Sequence, residues 1–454
     1  MPTVVLVYPY FHPYVDTSIF RFPPLGLGYI AAFLRQNGVT VEIVDCTFLS
    51  QKDAVKKVLK AKPLIIGIQS MYSMRDKSLE LARLLRPHCE LLVAGGALPT
   101  LQPESFLKDF DVVVIGEGEQ TMLELVTHFL NKRSFSEVKG IAYKDADSGQ
   151  FIWTTPRGLI EKLDLLPAPS RDLFDNASYK KYYSRRFGYK TTAIMTSRGC
   201  PFECDFCSRP VFGNNFRANT ATKVADEVEE IISLGYNRIW FADDCFTLNR
   251  KRLIEICDEF IRRRLKIGWE CLSRVDTVDL ETVEKMKQAG CVRMFFGIES
   301  GNDSILRLMK KQITTEQAFS AVHVCKSIGI KTGAFFIVGY PGENEKTIMD
   351  TIRFSSSLPL DYLSFTLPYP IPGTPLFKKL KGAFVLDEYS EPKNIRLIKH
   401  KLLFNSPVSE FKLKFVIFKG MTQFYIRKNL NETGYLFLGK PFETVTDKIY
   451  SKIR

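Results

Sequence analysis

The chain has 454 residues, of which 45% are hydrophobic and 25% charged, so it is long enough for two or three domains with their own cores and is not a mainly disordered polymer. No apolar run approaches the roughly 20 residues of a membrane-spanning helix, and residues 1–16 lack the basic start and cleavage site of a secretory signal, so we expect a cytoplasmic protein. The net charge of +13 fits nucleic acid, an anionic membrane surface or an acidic substrate as a partner, and it equally fits a basic soluble enzyme.

Residues 1–140 alternate apolar strands such as "TVVLVYP" with amphipathic helices such as "PLGLGYIAAFLRQNG", which predicts a parallel, doubly wound α/β sheet. In such sheets ligands bind beyond the carboxyl ends of the strands, and glycines there let a ligand approach the backbone. Small and polar residues at three of these strand ends are therefore either ligand contacts or simple turn residues. They are Ser70, Gly95, Gly96, Pro99, Thr100, Gly116, Glu117, Gly118 and Glu119.

Residues 141–190 are predicted to be a connector, and residues 191–385 return to the alternation of strands and helices. About six repeats run from "TTAIMTS" to "YLSFTLPYP", which is too few for a closed eight-stranded barrel. We therefore expect a partial, open (β/α)6 barrel whose carboxyl strand ends carry the site.

Residues 386–454 break this alternation and are predicted to form a helical, basic C-terminal segment. Four aromatic side chains recur there at helical spacing among several lysines. Such a helix either rests on an anionic membrane or packs against the barrel with its lysines in solvent. The aromatic residues are Phe411, Phe415, Phe418 and Tyr425.

The stretch "SRGCPFECDFCSRP" places Cys200, Cys204 and Cys207 in one loop with C-x3-C-x2-C spacing. The other seven cysteines are scattered, which is typical of buried apolar residues in a large intracellular chain. A structural zinc site is closed by four ligands, but here there is neither a second C-x-x-C pair nor a neighbouring His. Soft thiolates suit zinc or an iron–sulfur cluster, and a [4Fe–4S] cluster on three cysteines leaves one iron open.

This loop, with an aromatic residue before its last cysteine and a β-strand before its first, resembles the cysteine motif of the radical S-adenosylmethionine (SAM) superfamily. The resemblance implies that Cys200, Cys204 and Cys207 ligate three irons of a [4Fe–4S] cluster and that the fourth iron chelates SAM. It also implies that Asp243 or Asp244 contacts the SAM amine and that Arg274 pairs with its carboxylate. "GAFFIVGYPGE" resembles the adenine motif of the superfamily. The implied SAM contacts are Phe206, Asp243, Asp244, Arg274, Glu299, Ser300, Gly333, Ile337 and Gly339.

The segments "PPLGLGYIAAFLRQNG", "GGALPT" and "VVVIGEGE" together resemble the Rossmann-like cobalamin (B12)-binding domain that precedes many radical SAM barrels. This implies that residues 1–140 hold cobalamin through the nine strand-end residues, from Ser70 to Glu119. The D-x-H-x-x-G motif, whose His ligates cobalt in some relatives, is absent here, and Leu98 replaces the His of the G-G-x-H-P-T variant. The domain therefore either binds cobalamin without that His or has kept the fold and lost the cofactor.

The resemblance implies an enzyme that cleaves SAM by one electron to a 5′-deoxyadenosyl radical and functionalises an unactivated carbon. The implied reaction is C-methylation through methylcobalamin, on a hydrophobic (lipid, isoprenoid or tetrapyrrole) or natural-product substrate, with flavodoxin or ferredoxin as electron donor. Ring formation or rearrangement is an alternative. A tRNA methylthiotransferase would need three more cluster cysteines and an RNA-binding module, so no nucleic-acid partner is expected. A non-catalytic metal-binding scaffold is the alternative from another class.

Overall fold

The computed structural model describes residues 2–11, 19–145, 148–207, 212–383, 402–430 and 432–453. The chain divides into two compact units, and the first comprises residues 1–199, 209–219 and 230–237. The second comprises residues 200–208, 220–229 and 238–454. The predicted boundary at residue 386 lies outside the described residues. Within the described ranges, no helix combines the length and apolar character needed to cross a membrane.

The first unit contains ten strands and seven complete helices among its described residues. The strands are β1 (Val4–Tyr8), β2 (Val41–Asp45), β3 (Ile65–Gln69), β4 (Leu91–Gly95), β5 (Val112–Val114), β6 (Ile141–Lys144), β7 (Phe151–Trp153), β8 (Thr191–Ile194), β9 (Ser197–Arg198) and β10 (Arg217–Ala218). The helices are α1 (Leu25–Gln36), α2 (Gln51–Ala61), α3 (Arg75–Leu85), α4 (Ala97–Leu101), α5 (Pro103–Phe106), α6 (Gly118–Leu130) and α7 (Asn176–Phe187).

Seven of these strands form one sheet in the order β2-β1-β3-β4-β5-β6-β7. The first five pair in parallel, whereas β6 and β7 add an antiparallel edge and so give part of the predicted connector a regular structure. Alternate residues of these strands lie on opposite faces of the sheet. Val5 and Ile66 belong to the core formed with α2 and α3. Leu6 and Gly67 are paired on the other face, toward α1 and α6. Because both faces are covered by helices, the inner parallel strands β1, β3, β4 and β5 are almost wholly apolar. The predicted Rossmann-like, doubly wound fold is confirmed.

Among its described residues, the second unit contains five strands and most of the remaining helices. The strands are β11 (Arg238–Phe241), β12 (Gly268–Ser273), β13 (Cys291–Glu299), β14 (Lys331–Ile337) and β15 (Tyr362–Thr366). The helices are α8 (Ala221–Ser233, shared between the units), α9 (Arg250–Arg262), α10 (Leu280–Gln288), α11 (Asp303–Leu308), α12 (Thr315–Ser327), α13 (Glu345–Ser357), α14 (Pro375–Leu380), α15 (Glu410–Asn429), α16 (Glu432–Gly434) and α17 (Lys440–Lys452). A π-helical turn, Tyr435–Gly439, joins the last two helices.

The five strands pair in parallel in the order β15-β14-β13-β12-β11. With β8 as the first repeat in chain order, six β/α repeats run along the sequence, which confirms the predicted partial (β/α)6 barrel as the fold class. Polar residues after the strands start the next helices: Thr314 with Gln317 caps α12, and Asn344 with Thr347 caps α13, each as a reciprocal capping box. These boxes satisfy backbone N–H groups that the first turn would leave unpaired.

In helix α15, two lysines are buried and three aromatic side chains are exposed, which differs from the alternative of a packed helix with its lysines in solvent. Phe411, Phe418 and Tyr425 are 68%, 54% and 53% exposed, whereas Lys412 and Lys419 are only 4% and 1% exposed. The two buried ammonium groups form ion pairs, Lys412 with Glu345 of α13 and Lys419 with Asp447 of α17. Buried charges require such partners, so the two ion pairs allow both lysines to lie on the buried face of α15 together with its apolar side chains.

Candidate active site

The three cysteines of the C-x3-C-x2-C motif lie in the loop bracketed by β9 and β10, which pair antiparallel. All three thiols are half-buried, and none of them is in a disulfide. The chain enters the loop through Gly199, whose φ of +85° and close approach to the Asn215 carbonyl leave no room for a side chain. A glycine is therefore needed immediately before Cys200.

Asp205, between the second and third cysteines, holds the loop by contacts within the second unit, to which residues 200–208 belong. Its side chain is fully buried and accepts hydrogen bonds from the Tyr340 hydroxyl and, at 3.0 Å, from the Lys379 ammonium. Its backbone N–H donates to the Met309 carbonyl, and its carbonyl accepts from the Leu376 N–H. Burial, together with the neighbouring Asp205 carboxylate, raises the pKa of Tyr340, so this hydroxyl stays protonated and donates. Four hydrogen bonds of Asp205 thus hold the loop conformation without involving a metal ligand.

Two buried cations adjoin Cys204. The Arg274 guanidinium lies 4.0 Å from its Sγ through Nη1 and stacks 3.5 Å from the Phe202 ring centre. Lys311, 7% exposed, interacts electrostatically with the same thiol and with Glu299. Although burial opposes its charge, the Glu299 carboxylate raises the pKa of Lys311, so its ammonium stays charged. Two buried positive charges therefore lie beside one cysteine of the motif.

The Cys200 thiol is in a different environment. Burial raises its pKa, and the carboxylate of Asp244 adds to the effect. A ligating thiol must lose its proton, so metal binding here releases one. In the described part of the chain, no three His, Cys, Asp or Glu side chains are grouped so that they could hold a single metal ion. The assignment of the three cysteines to a cluster therefore stays a prediction.

Arg274, the predicted partner of the SAM carboxylate, already has a carboxylate partner. Its Nε and Nη2 each donate to Asp276, both at 2.9 Å, and Nη2 also donates to the Lys311 carbonyl. This bidentate pairing uses the edge of the guanidinium that would otherwise clamp a ligand carboxylate. Only Nη1, directed at Cys204, remains turned toward the cysteine loop.

The predicted ribose contacts at the end of β13 have distinct environments. Glu299 has a φ of +72°, which is unusual for a residue other than glycine, and accepts a hydrogen bond from Lys311 Nζ at 3.1 Å. Such strain is typically found at functional sites. The Ser300 hydroxyl is instead bonded to Thr351 at 3.1 Å and accepts from the Asn302 N–H.

The adenine-motif residues shape the end of β14. A Cβ on Gly333 would lie 2.5 Å from the Phe295 ring, and one on Gly339, with φ of +88°, would lie 2.7 Å from Leu413. Glu343 accepts from the N–H groups of Gly339 and Tyr340, but its Oε1 is buried without a partner. Burial raises the pKa of Glu343 to about 7. The other predicted SAM contacts are Ile337 and Asp243, which are buried, Phe206, which is half-buried, and Asp244, which is exposed.

A cavity of about 260 Å³ lies within the first unit, at the carboxyl edge of its sheet. Leu6 of β1 and Gly67 of β3 line it, so it lies where the strand order reverses direction, the position where doubly wound sheets bind ligands. Six of the nine predicted cobalamin contacts line this cavity, and three do not. The six are Gly95, Gly96, Gly116, Glu117, Gly118 and Glu119, and the other three are Ser70, Pro99 and Thr100.

The three residues outside the lining have structural contacts. Ser70 is fully buried and bonded to Ser78 at 2.8 Å, and the Thr100 hydroxyl accepts from the Gly116 N–H at 3.0 Å. Thr100 therefore acts on the cavity indirectly, by holding the glycine that lines it. Pro99 is buried in α4.

The residues around the cavity fit one arm of a corrinoid, although the whole ring system exceeds its volume. Gln69 Oε1 is buried there without a hydrogen-bond partner, and the carboxamides on a corrinoid rim are suitable donors. A Cβ on Gly26 or Gly116 would meet no atom within 4 Å, so both glycines leave open space at the wall. The described lining residues include no His that could ligate cobalt. They do include Met71 and Tyr29.

A buried cluster of four charges closes one side of the cavity. Glu117 accepts from Arg198 and Arg217 at 2.9 Å each and from the Ile160 N–H at 2.7 Å. Glu119 accepts from Arg198 at 2.6 Å. Burial opposes ionisation of Glu117, but the hydrogen bonds and charge of Arg198, with help from Arg217, hold its pKa below the usual value. We call Glu117, Glu119, Arg198 and Arg217 the ion-pair cluster.

Sequence reasoning found the glycines at the strand ends but missed the charged partners around them. Arg198 and Arg217 flank the cysteine motif, Lys311 follows α11, and Gln69 ends β3. The available signal was the density of Arg and acidic residues directly beside the motifs. It did not indicate which of them pair.

Comparison with known proteins gives two matching family models: the radical SAM superfamily over residues 194–355 and the B12 binding domain over residues 12–126. An uncharacterized methyltransferase of Pyrococcus horikoshii is 36% identical over 78% of this chain and 78% of its own length. The anaerobic magnesium-protoporphyrin IX monomethyl ester cyclase of Rubrivivax gelatinosus is 30% identical over 83% of this chain and 70% of its own.

Among solved structures, the cobalamin-dependent SAM radical enzyme OxsB, with aqua-cobalamin and SAM bound, has a TM-score of 0.78 at 20% identity. The match covers 99% of this chain and 72% of that one. This likeness supports the fold of the whole described chain.

Proposed function

The chain belongs to the radical SAM enzymes that carry a B12-binding domain, whose cofactors are a [4Fe–4S] cluster, SAM and cobalamin, and from this we propose that it transfers a methyl group to an unactivated carbon of a hydrophobic substrate. When bound, the cluster and SAM supply a carbon-centred radical, and cobalamin supplies the methyl group. The protein's part is to bind, orient and shield these groups.

The single observation that carries this proposal is the prepared cysteine loop. Asp205 fixes its fold through Tyr340 and Lys379, and Arg274 and Lys311 place two buried positive charges at Cys204. Positive charge beside a cluster ligand stabilises the electron that a reduced cluster must hold, since net charge and hydrogen bonding set cluster potentials. A merely structural metal site has no need of this arrangement.

Within the proposal, Lys311 and Glu299 lie where a charged ligand of the open iron would be oriented. Their ion pair, at 3.1 Å and nearly buried, can be exchanged for a ligand carboxylate and ammonium. Arg274 takes the role of holding the loop, because Asp276 occupies its bidentate edge. The contact of Asp243 with the SAM amine and the contact of Ser300 with the ribose are part of the same proposal.

For cobalamin, Gln69, Gly95, Gly96 and Gly116 form the proposed contact surface. Gln69 accepts a hydrogen bond from a rim carboxamide, and the glycines admit the macrocycle's arm against the backbone. Glu117 and Glu119 position this wall through the two arginines, rather than contacting the ligand by free carboxylates.

The substrate class is also part of the proposal. The cyclase relative is named for a tetrapyrrole substrate, and the first relative is named a methyltransferase. These names favour a hydrophobic substrate, with methylation first and ring formation as the second candidate. A small redox protein such as flavodoxin or ferredoxin would supply the electron. We place the enzyme in the cytoplasm, in peripheral contact with a membrane through the C-terminal segment, whose apolar side chains are exposed.

Anaerobic reconstitution with iron and sulfide tests the cluster and the SAM chemistry. We expect four irons per chain and 5′-deoxyadenosine from SAM in the wild type, and neither in Cys200→Ala. Cys89→Ala is the matched control, since Cys89 is also half-buried but lies outside the motif. A wild-type protein that holds zinc and leaves SAM intact would refute the proposal.

SAM with a trideuterated methyl group distinguishes the two candidate reactions on hydrophobic extracts. Methylation adds one labelled methyl group to a product, whereas ring formation removes hydrogen without adding label. Gln69→Leu should lower bound corrinoid while leaving the iron content unchanged. Label transferred by protein free of corrinoid would contradict the role given to cobalamin.

A further inference from the structure

Several apolar side chains near the C-terminal end of the described chain are largely exposed to solvent. Leu436, Phe437 and Leu438 are 54%, 78% and 63% exposed, all within the single π-helical turn before α17. On α17 itself, Val445 and Ile449 are 56% and 44% exposed. We call these five residues the C-terminal apolar surface.

The spacing makes this surface a projecting edge. Consecutive residues of a helical turn point in different directions, so the three exposed apolar side chains of the π-helical turn form a tip and not one flat side. From Phe437 the edge continues at intervals of four through Pro441, Val445 and Ile449, all of them exposed. Residues four apart lie on one side of a helix. The tip and the helix side therefore form one continuous apolar strip.

Charge is distributed asymmetrically around this strip. The acidic residues of α17 are paired inward: Glu443 with Arg427 of α15, and Asp447 with Lys419 of α15. Lys440, Lys448 and Lys452 are exposed and make no ion pair with another described residue. The exposed residues of α17 are thus apolar, positively charged or, at Thr444 and Ser451, neutral and polar, and none of them is acidic.

The combination of exposed apolar side chains and exposed lysines favours a lipid bilayer over a second copy of this chain as the partner of this surface. In a twofold dimer the same patch meets itself, which would bring the lysines of the two copies together and cost stability. A bilayer with anionic headgroups accepts both features, because apolar side chains enter the acyl boundary while lysine stems lie along it with their charges at the headgroups. We propose that the C-terminal apolar surface docks on an anionic phospholipid bilayer.

This inference deepens the proposed peripheral contact and does not depend on the radical chemistry. It also moves the contact from α15, where the sequence suggested it, to α17 and the turn before it. On α15, two of the lysines that would bind headgroups, Lys412 and Lys419, are buried in ion pairs. A hydrophobic substrate would then be collected at the membrane surface.

Vesicle co-sedimentation of the reconstituted full chain tests the proposal. The probe is phosphatidylcholine vesicles with and without phosphatidylglycerol. We expect binding only with the anionic lipid, and Phe437→Ser with Leu438→Ser should weaken it at least about tenfold, because each side chain loses its apolar burial. Leu165→Ser is the matched control, since Leu165 is 75% exposed in the first unit.

The lysines are tested by K448Q with K452Q, for which we expect roughly fivefold weaker binding per lysine and a strong dependence on salt. K52Q with K56Q, at the same spacing on exposed positions of α2, should bind as the wild type does. Equal binding by F437S/L438S and the wild type would overturn the proposal. So would a wild-type dimer that F437S/L438S converts to monomers, or binding to neutral vesicles alone. SAM cleavage should be unchanged in all these variants. If the wild type did not cleave SAM, that result would count against the proposed enzyme function and not against membrane docking.

Discussion

Replacing Glu117 by Gln tests whether the ion-pair cluster holds the base of the cysteine loop. The change keeps the shape of the side chain but removes one of the two carboxylates that face Arg198 and Arg217. All four side chains are 5% exposed or less, so water cannot compensate the lost charge. The variant buries two guanidinium groups against a single carboxylate, that of Glu119.

The expected cost is large because breaking a buried ion pair from one side leaves an uncompensated charge, typically about 3–5 kcal/mol. Since the pKa of Glu117 lies below its usual value of 4.5, the carboxylate stabilises the folded state above about pH 4.5. That contribution is lost as the pH falls through the lowered pKa. Wild type and variant should therefore differ at neutral pH and converge in acid.

Hydrogen exchange measured by mass spectrometry is the suitable assay, because a chain of two units need not unfold in one step. Peptides covering β9 and β10 report local opening of the hairpin. A loss of about 3 kcal/mol corresponds to exchange that is roughly a hundredfold faster or more. Glu124→Gln is the matched control: its pair with Arg157 leaves Glu124 43% exposed, so we expect less than about 1 kcal/mol. If the hairpin exchanged equally slowly in both variants, the cluster would not hold it.

Three further results are expected. Asp205→Asn should lower cluster occupancy after reconstitution, measured as iron per chain, because the Lys379 ammonium loses its carboxylate; occupancy equal to wild type would show that the loop does not need this anchor. Lys311→Met should make the cluster midpoint potential more negative in an EPR titration, whereas Lys310→Met, exposed on the same turn, should not; equal potentials would contradict the role of the buried charge. Glu343 has a pKa raised by burial to about 7, so the folded state favours its protonated form and loses about 3 kcal/mol as the pH rises from 4.5 to 7. Glu343→Gln should flatten the unfolding profile over that window in calorimetry, and an unchanged slope would contradict the assignment.

The fold and the position of the ligand cavity were predictable because they rest on local signals. Alternating apolar strands and helices fix the parallel sheets, and glycines at strand ends such as Gly95 and Gly116 mark where a ligand can reach the backbone. The cysteine loop is equally local. These features need only a short window of sequence to be recognised.

The partners of the charged residues were not predictable, because they are distant in the chain. Glu117 pairs with Arg198 and Arg217 across 81 and 100 residues, and Asp205 binds Tyr340 across 135. Arg274 was predicted to be available to a ligand carboxylate, but its nearest partner is Asp276, two positions away. The basic composition of the segment indicated that Lys412 and Lys419 would be exposed to solvent. Both are instead buried, and each is paired with a carboxylate on another helix. Such pairing depends on tertiary packing, which periodicity does not report.

The hairpin at the base of the cysteine loop depends on the wall of the cavity for its stability. Arg198 and Arg217 are directly opposite each other in the β9–β10 register, and each strand is only two residues long. Like charges directly opposite destabilise an antiparallel pair, and a hairpin this short is not stable alone. The carboxylates that neutralise it come from Glu117 and Glu119, which also line the cavity. The stability of the hairpin therefore depends on the segment after β5 that carries both carboxylates, so we expect a ligand that displaces this wall also to loosen Arg198 and Arg217.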